Sequence, residues 1–412
     1  MDVLYRCCCG LDVHAKTVVA CLIKGGQKQT RTFATMTEDL LVLADWLGAH
    51  GCTHVAIEST GVYWRPVFNL LEGLFVVILV NARHMKAVPG RKTDVRDSEW
   101  LADLLRHGLL KASFIPPHEI REVRELTRYR QTLVKSPAAV TNRIQRILEC
   151  GNIKLGQVAS DVMGVSGQLM LRALAAGETN GQTLAALARG QLKRKTDELR
   201  RALTGRLSAA QRFVLQELLD RYDELGKALD RVNVQIEREI AISPEPLLGP
   251  AVELVQTIPG VGRQVAEVVV AEIGVDMARF PTAKHLASWA GMCPGSHESA
   301  GKSKSGKTRQ GSKNLRTALV QAAWAATHTK GTYLAAQYRR LVKRKGRKKA
   351  LVAVAHSLLV SLFHMLARKV TYRELGGDYF ERQPTATHCR RLLRQLEALG
   401  MKVTVETQPA TA

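Results

Sequence analysis

Short strand-like runs, of which Gln29 to Thr35 alternates, open the chain before helical spacing appears. Leu4 to Leu11, Lys16 to Lys24 and Gln29 to Thr35 read as strands, the second rich in Val and bounded by Gly25-Gly26. Leu40, Leu41, Leu43 and Leu47 give Thr37 to Gly48 the spacing of a helix. A short strand follows at His54 to Glu58, a helix at Val62 to Leu71, and an apolar strand of buried type at Phe75 to Val80. Asp94 to Arg106 is an amphipathic helix with Trp100, Leu101, Leu104 and Leu105 on its apolar side. The order of three strands, helix, strand, helix, strand, helix suits an α/β ribonuclease-H-like mixed sheet, although other α/β folds share it.

The middle of the chain is helical almost throughout. Leu215, Leu218, Tyr222, Leu225, Leu229, Val232 and Ile236 alternate steps of three and four, the heptad seam of a coiled coil, or else one face of a helix packed in its own domain. Glu119 to Cys150 is the natural antiparallel partner, with Pro137 expected to kink or break it. Ser243 to Pro250 reads as a separating segment. A mainly α C-terminal domain opens with Leu254 to Gly274, continues through a Gly/Ser/Lys loop from Pro294 to Lys313, and resumes as helix from Leu315. The expected divisions are 1–115, an α/β domain; 116–247, a helical coiled-coil arm; 248–375, the C-terminal domain; and 376–412, a polar tail.

Charge narrows the class of partner. Lys and Arg number 60 against 37 Asp and Glu, a formal net charge of +23 in 412 residues. Arg339 to Lys349 alone holds eight basic residues in eleven. Such clustering points to a polyanion, because cations that neutralise phosphates release counterions. The eight cysteines form no C-x-x-C pair, which leaves a zinc site without support, and Cys7, Cys8 and Cys9 read as small buried residues on a strand. A reducing, cytoplasmic setting is expected, with no signal peptide and no apolar run long enough to cross a bilayer.

Four acidic residues stand where a metal site could be built. Asp12 follows the apolar run Cys7 to Leu11, Glu58 ends a strand, and Asp94 and Asp97 lie three apart at a helix start. That spacing puts both on one helical face, about 4.5 Å apart along the axis. Oxygen-only ligands suit Mg²⁺ or Mn²⁺, two of which can clamp the attacking and leaving oxygens of a phosphoryl transfer. Taken singly, Asp94 and Asp97 also suit an N-cap with its dipole partners, and Asp12 a turn.

Two further segments carry candidate chemistry. Thr257 to Gly262, followed by a helix through Ala266 and Val270, has the form of a helix-hairpin-helix turn; Gly260 and Gly262 could let backbone amides approach a phosphate, or simply join two helices. Farther on, Lys302, Lys304, Lys307, Arg309, Lys313 and Arg316 are interleaved with Gly and Ser, as in a chain that follows a phosphate backbone; by composition alone this is a flexible basic loop.

Gly10-Leu11-Asp12, Ile57 to Trp64 and Lys92 to Asp97 resemble the DEDD motifs of the insertion-sequence transposases of the IS110 family. The stretch from Pro294 to Arg316 resembles the family's C-terminal transposase domain. The resemblance spans Gly10 to about Tyr372 and is weakest in the helical middle. It implies a RuvC-like N-terminal domain whose Asp12, Glu58, Asp94 and Asp97 bind divalent metal, and a catalytic nucleophile at Ser299. Ser98 stands where Ala is common, Glu298 where a second Ser is frequent and Ala300 where Gly is frequent; Ser296 is the second choice of nucleophile. It also implies donor and target DNA, a structured non-coding guide RNA, and a homo-oligomer, dimer or tetramer, in which the acids and the serine of one active site come from different subunits. Two rivals remain at this point: a resolvase-like metal-dependent nuclease in which water attacks, and a non-enzymatic nucleic-acid-binding protein.

Overall fold

The computed structural model describes residues 2–59, 61–81, 94–243, 248–295, 298–299, 302–303, 308–382, 393–401 and 403, with the side chains of 94–96, 298–299, 302–303 and 381–382 excepted. The chain divides into two compact units, Met1–Ile115 and Pro116–Ala412.

In the first unit β1 (Cys7–Val13), β2 (Thr17–Lys24), β3 (Gln27–Ala34), β4 (His54–Glu58) and β5 (Val76–Val80) form one sheet in the order β3-β2-β1-β4-β5. β2 runs antiparallel to β1 and β3, while β1, β4 and β5 are mutually parallel. Strand alternation divides the residues between two faces. Cys9 and Leu11 join Val55 and Ile57 under the helices Thr37–Ala49 and Trp64–Leu71. Cys8 and Ala56 face the other way, against Leu101 and Leu105 of the helix Asp94–Arg106. The strand expected from Leu4 starts instead at Cys7, because the Leu4 and Tyr5 amides donate to the Arg106 carbonyl. Cys8 and Cys9 are fully buried, and the described cysteines are free thiols. Burial pushes the Cys8 and Cys52 thiols up to about 12.

Gly10 fixes how the helix Asp94–Arg106 lies. A Cβ there would stand 2.3 Å from the Ser98 carbonyl oxygen and 2.5 Å from the Ala102 nitrogen, so the helix backbone rests directly on β1. Ser98 is fully buried beside it, and its Oγ has no hydrogen-bond partner among the described residues. A buried orphan hydroxyl costs about 1–3 kcal/mol. Ser98→Ala is therefore expected to raise stability by about 1 kcal/mol in urea unfolding; a loss of that size would mean that the hydroxyl is engaged in the folded protein.

The second unit is helical. The helices His118–Cys150 and Ala209–Ile242, of 33 and 34 residues, lie antiparallel: Arg130 bonds Asn233, while Gly151 packs against Arg206 and Leu207, just before the second helix starts. A Ser208/Gln211 capping box starts that second helix. Pro137 does not break the first, which is one continuous element. The heptad seam is filled within the chain. Leu215, Leu218, Leu225 and Ile236 are buried, and Tyr222, Leu229 and Val232 pack on the same core as Val140, Ile144 and Leu148. Between the long helices sit short ones at Leu155–Val158, Val165–Ala175, Gly181–Ala186 and Thr196–Ala202, with a 3₁₀ turn at Gly190–Lys195.

The C-terminal part contains helices Leu248–Gln256, Arg263–Ile273, Ala283–Trp289, Lys313–His328, Tyr333–Lys345, Arg347–Arg368 and Tyr379–Arg382. Leu248 to Pro250, expected in a separating segment, are already helical, since Leu248 is buried in the core; 244–247 lie outside the described residues. The expectation that no run could cross a bilayer is corrected by Arg347–Arg368, 22 residues long with mean hydropathy 2.0 over its most apolar window. Here its apolarity serves a core: Val354, Leu358, Leu362 and Met365 are buried, and the helix packs on Lys313–His328, Ala283–Trp289 and Tyr333–Lys345. Most of the expected tail after Tyr379 lies outside the described residues.

Candidate active site

Asp12 and Glu58 end neighbouring parallel strands. The register Leu11↔Ile57 makes them the next pair along, and alternation puts both on the face shared with Gly10 and Ala56. The helix Asp94–Arg106 covers that face and runs antiparallel to β1, with Arg106 at Leu4 and Ser98 at Gly10. Its first turn, which carries Asp94 and Asp97, therefore stands over the strand end that carries Asp12. The Asp12 side chain is 15% exposed, and its Oδ2 lies 3.1 Å from His14 Nε2. Among the described residues no group of three or more His, Cys, Asp or Glu side chains is gathered tightly enough to hold a metal ion; the Asp94 side chain lies outside them. The donor chemistry nonetheless fits a hard divalent cation: carboxylates alone, from two strand ends and one helix turn, with no thiolate or imidazole among the four.

The basic stretch that composition alone makes a flexible loop has a paired neck and tip. Gly291 and Gly311 close the neck. A Cβ on Gly311 would lie 2.3 Å from the Ala290 carbonyl carbon, and one on Gly291 2.7 Å from the Gly311 nitrogen. Pro294 and Thr308 form a bridge, and the Arg309 amide donates to the Cys293 carbonyl at 3.3 Å. At the tip β6 (Glu298–Ser299) and β7 (Lys302–Ser303) pair antiparallel, with Ser299 opposite Lys302. Ser299 is thus the last paired residue before the tip. Ser296, Ala300, Lys304 and Lys307 lie outside the described residues.

The base of this hairpin is tied to a charged network not anticipated from the sequence. Ser312, which caps the helix Lys313–His328, donates from Oγ to Glu272 Oε2 at 3.0 Å. Glu272 is 1% exposed and takes a two-pronged bond from Arg128 at 2.7 and 2.9 Å. Arg124 bonds the Ala271 and Glu272 carbonyls at 2.9 and 2.6 Å. One turn back, Glu267 is equally buried and binds Arg130 at 2.5 Å and Arg263 at 3.0 Å. Burial pushes the Glu272 carboxyl up, but the Arg128 hydrogen bonds, the charges of Arg124 and Arg128, and the Ser312 hydroxyl outweigh it and hold the group below its ordinary value. The stabilisation is therefore complete above the unfolded carboxylate's pKa and is lost as pH falls through the lowered folded one. Glu272→Gln is expected to cost roughly 1–3 kcal/mol at neutral pH, because it leaves the half-buried Arg124 and Arg128 guanidinium groups without their compensating charge, a cost that solvent at Arg128 reduces. Its urea midpoint should fall less than the parent's between neutral and acid pH; an equal fall would remove Glu272 from the account.

Gly260 and Gly262 differ in role. A Cβ on Gly260 would stand 2.4 Å from the Ala326 nitrogen, so this residue serves packing against the helix Lys313–His328. Gly262 is exposed, caps the helix Arg263–Ile273 and has open space where a side chain would be. Arg309 and Lys313 are exposed, and Arg316 is half-buried.

Comparison with known proteins adds an independent line. Residues 9–151 match the DEDD-type IS110 transposase family, and residues 252–339 match the transposase IS116/IS110/IS902 family. The transposase for insertion sequence element IS1111A of Coxiella burnetii is 25% identical over 375 residues, 89% of this chain and 87% of that protein. The pilin gene-inverting protein of Moraxella bovis is 26% identical over 369 residues, 85% of this chain and 92% of its own. An insertion element IS110 uncharacterized 43.6 kDa protein of Streptomyces coelicolor is 27% identical over 302 residues, 68% of this chain and 71% of its own.

Proposed function

The chain belongs to the IS110 family of transposases, and from that membership we propose that it breaks and rejoins DNA through a phosphoserine intermediate at Ser299, with the help of a divalent cation. The observation that carries the metal half is the placement of Asp12 and Glu58 near adjacent strand ends beneath the helix that begins at Asp94. The sheet order β3-β2-β1-β4-β5 supports reading the unit as ribonuclease-H-like and RuvC-like. Asp12, Glu58, Asp94 and Asp97 would hold Mg²⁺ or Mn²⁺, which supplies neutralisation of charge on a scissile phosphate.

The remaining steps fall to the chain's own residues. Ser299 Oγ attacks phosphorus and forms a new P–O bond. The bond from phosphorus to one deoxyribose oxygen breaks, and that oxygen leaves with a proton. The number of phosphodiester links is conserved, so a second DNA end can attack the phosphoserine and release Ser299 without ATP. Arg309, Lys313 and Arg316 steady the phosphate backbone beside the hairpin. The net charge of +23 suits a structured guide RNA as well as donor and target DNA. A dimer or tetramer is part of the proposal; the heptad seam, filled within the chain, supports a subunit contact through other surfaces.

Cleavage of duplex DNA should vanish in excess EDTA and return with Mg²⁺ or Mn²⁺. Undiminished cleavage in EDTA would remove the metal from the reaction.

A further inference from the structure

The end of the long helix pair carries a charged surface that the reaction does not use. Arg189, Lys193, Arg194, Lys195, Arg200 and Arg201 fall within thirteen residues whose only acids are Asp197 and Glu198. All six cations are exposed, and none belongs to an ion pair among the described residues. Arg189 stands just before the 3₁₀ turn Gly190–Lys195, and the other five ride on that turn and on the helix Thr196–Ala202, which follows it without a break. This element is fastened to the end of the helix His118–Cys150: the Lys154 amide donates to the Ala202 carbonyl at 2.7 Å, and the Arg206 amide to the Gly151 carbonyl at 3.0 Å. It lies in the stretch 152–251, between the two family matches.

We propose that this arm tip is a second DNA-binding surface, one that holds the phosphate backbone of a duplex away from the serine hairpin. The charge says polyanion. Composition says backbone rather than bases, since no aromatic residue occurs between Tyr129 and Phe213, and a single strand is gripped by stacking its bases on aromatic rings. The reach fits as well. Arg128, which holds the hairpin's base through Glu272 and Ser312, is twenty-two residues from Cys150 on one helix. At 1.5 Å per residue that is roughly 33 Å, about one turn of B-form DNA. The tip therefore meets the duplex about a helical turn from the site of strand exchange. The assignment of DNA as the duplex rests on family membership, whereas the binding itself does not depend on Ser299 being the nucleophile.

The test is a salt titration with the full-length protein, the parent beside Lys193→Gln/Arg194→Gln/Lys195→Gln/Arg200→Gln, on a 40-base-pair DNA duplex, the corresponding single strand and an RNA hairpin. Every phosphate deprived of its cation lowers the log–log salt slope by about 0.9 for duplex DNA. The variant should lose roughly two to four units of slope on the duplex and bind it about tenfold or more weakly near 0.1 M salt. The exchange Lys193→Arg/Arg194→Lys/Lys195→Arg should keep the parent slope, because neutralising a phosphate in this way needs charge rather than a particular fork. An unchanged slope on duplex DNA, or a loss confined to the single strand or the RNA, overturns the proposal. The readout is binding, so failure of serine chemistry leaves it decidable.

Discussion

Asp12→Asn is expected to lower DNA cleavage by on the order of a thousand-fold or more while leaving the melting temperature close to the parent's. Asn keeps the volume of Asp and removes its charge, so β1 should still pair with β2 and β4 as before. The strand is secured elsewhere, by Cys8, Cys9 and Leu11 in the core and by the contact of Gly10 with the helix backbone. What changes is the negative field at the strand end. Outer-shell changes alone weaken metal sites about 10–100-fold, so loss of a ligand should exceed that. Raising Mg²⁺ should restore part of the activity if affinity is what was lost. Full cleavage by the variant would show that Asp12 is a strand-end residue with no part in the reaction.

The sheet was legible because its signals are local. The apolar run Cys7 to Leu11, the Gly25-Gly26 turn and the five-residue run His54 to Glu58 each specify an element without help from distant residues. Asp94 to Arg106 was equally clear from its one apolar stripe. The candidate acids could be named from their motifs, but their common face could not. That depends on the parallel register Leu11↔Ile57 and on a helix that lies against Gly10, both of them contacts between segments far apart in the chain. The serine loop misled for a related reason. Its Gly, Ser and Lys content reads as flexible, whereas Gly291 and Gly311 are small because two backbones touch there. Glu267 and Glu272 gave no sign of burial, because both sit on one otherwise apolar helix and the Arg128 and Arg130 that hold them lie more than a hundred residues away. The heptad seam was visible, but periodicity cannot say whether its partner is a second copy or the chain's own helix His118–Cys150.

Ser299 is the proposed nucleophile, and the direct test is whether it becomes joined to DNA. A serine hydroxyl attacks poorly unless a positive field favours its alkoxide. Here it ends the paired part of a hairpin, opposite Lys302, in a stretch rich in Lys and Arg. Tyr333 is a poorer candidate: its ring packs on Tyr379 and Phe380, and burial raises its phenol pKa. Ser299→Ala removes one hydroxyl, so nucleic-acid binding should persist while strand exchange falls by about 10⁴-fold or more, the scale of removing a nucleophile. The measurement is to incubate labelled duplex DNA with the parent, Ser299→Ala and Asp12→Asn, denature, and map any protein–DNA adduct by mass spectrometry. An adduct is expected on Ser299 in the parent alone. Cleavage by Ser299→Ala at the parent's rate with no adduct in either protein, or an adduct mapped to Ser296 or Tyr333, would contradict that role for Ser299.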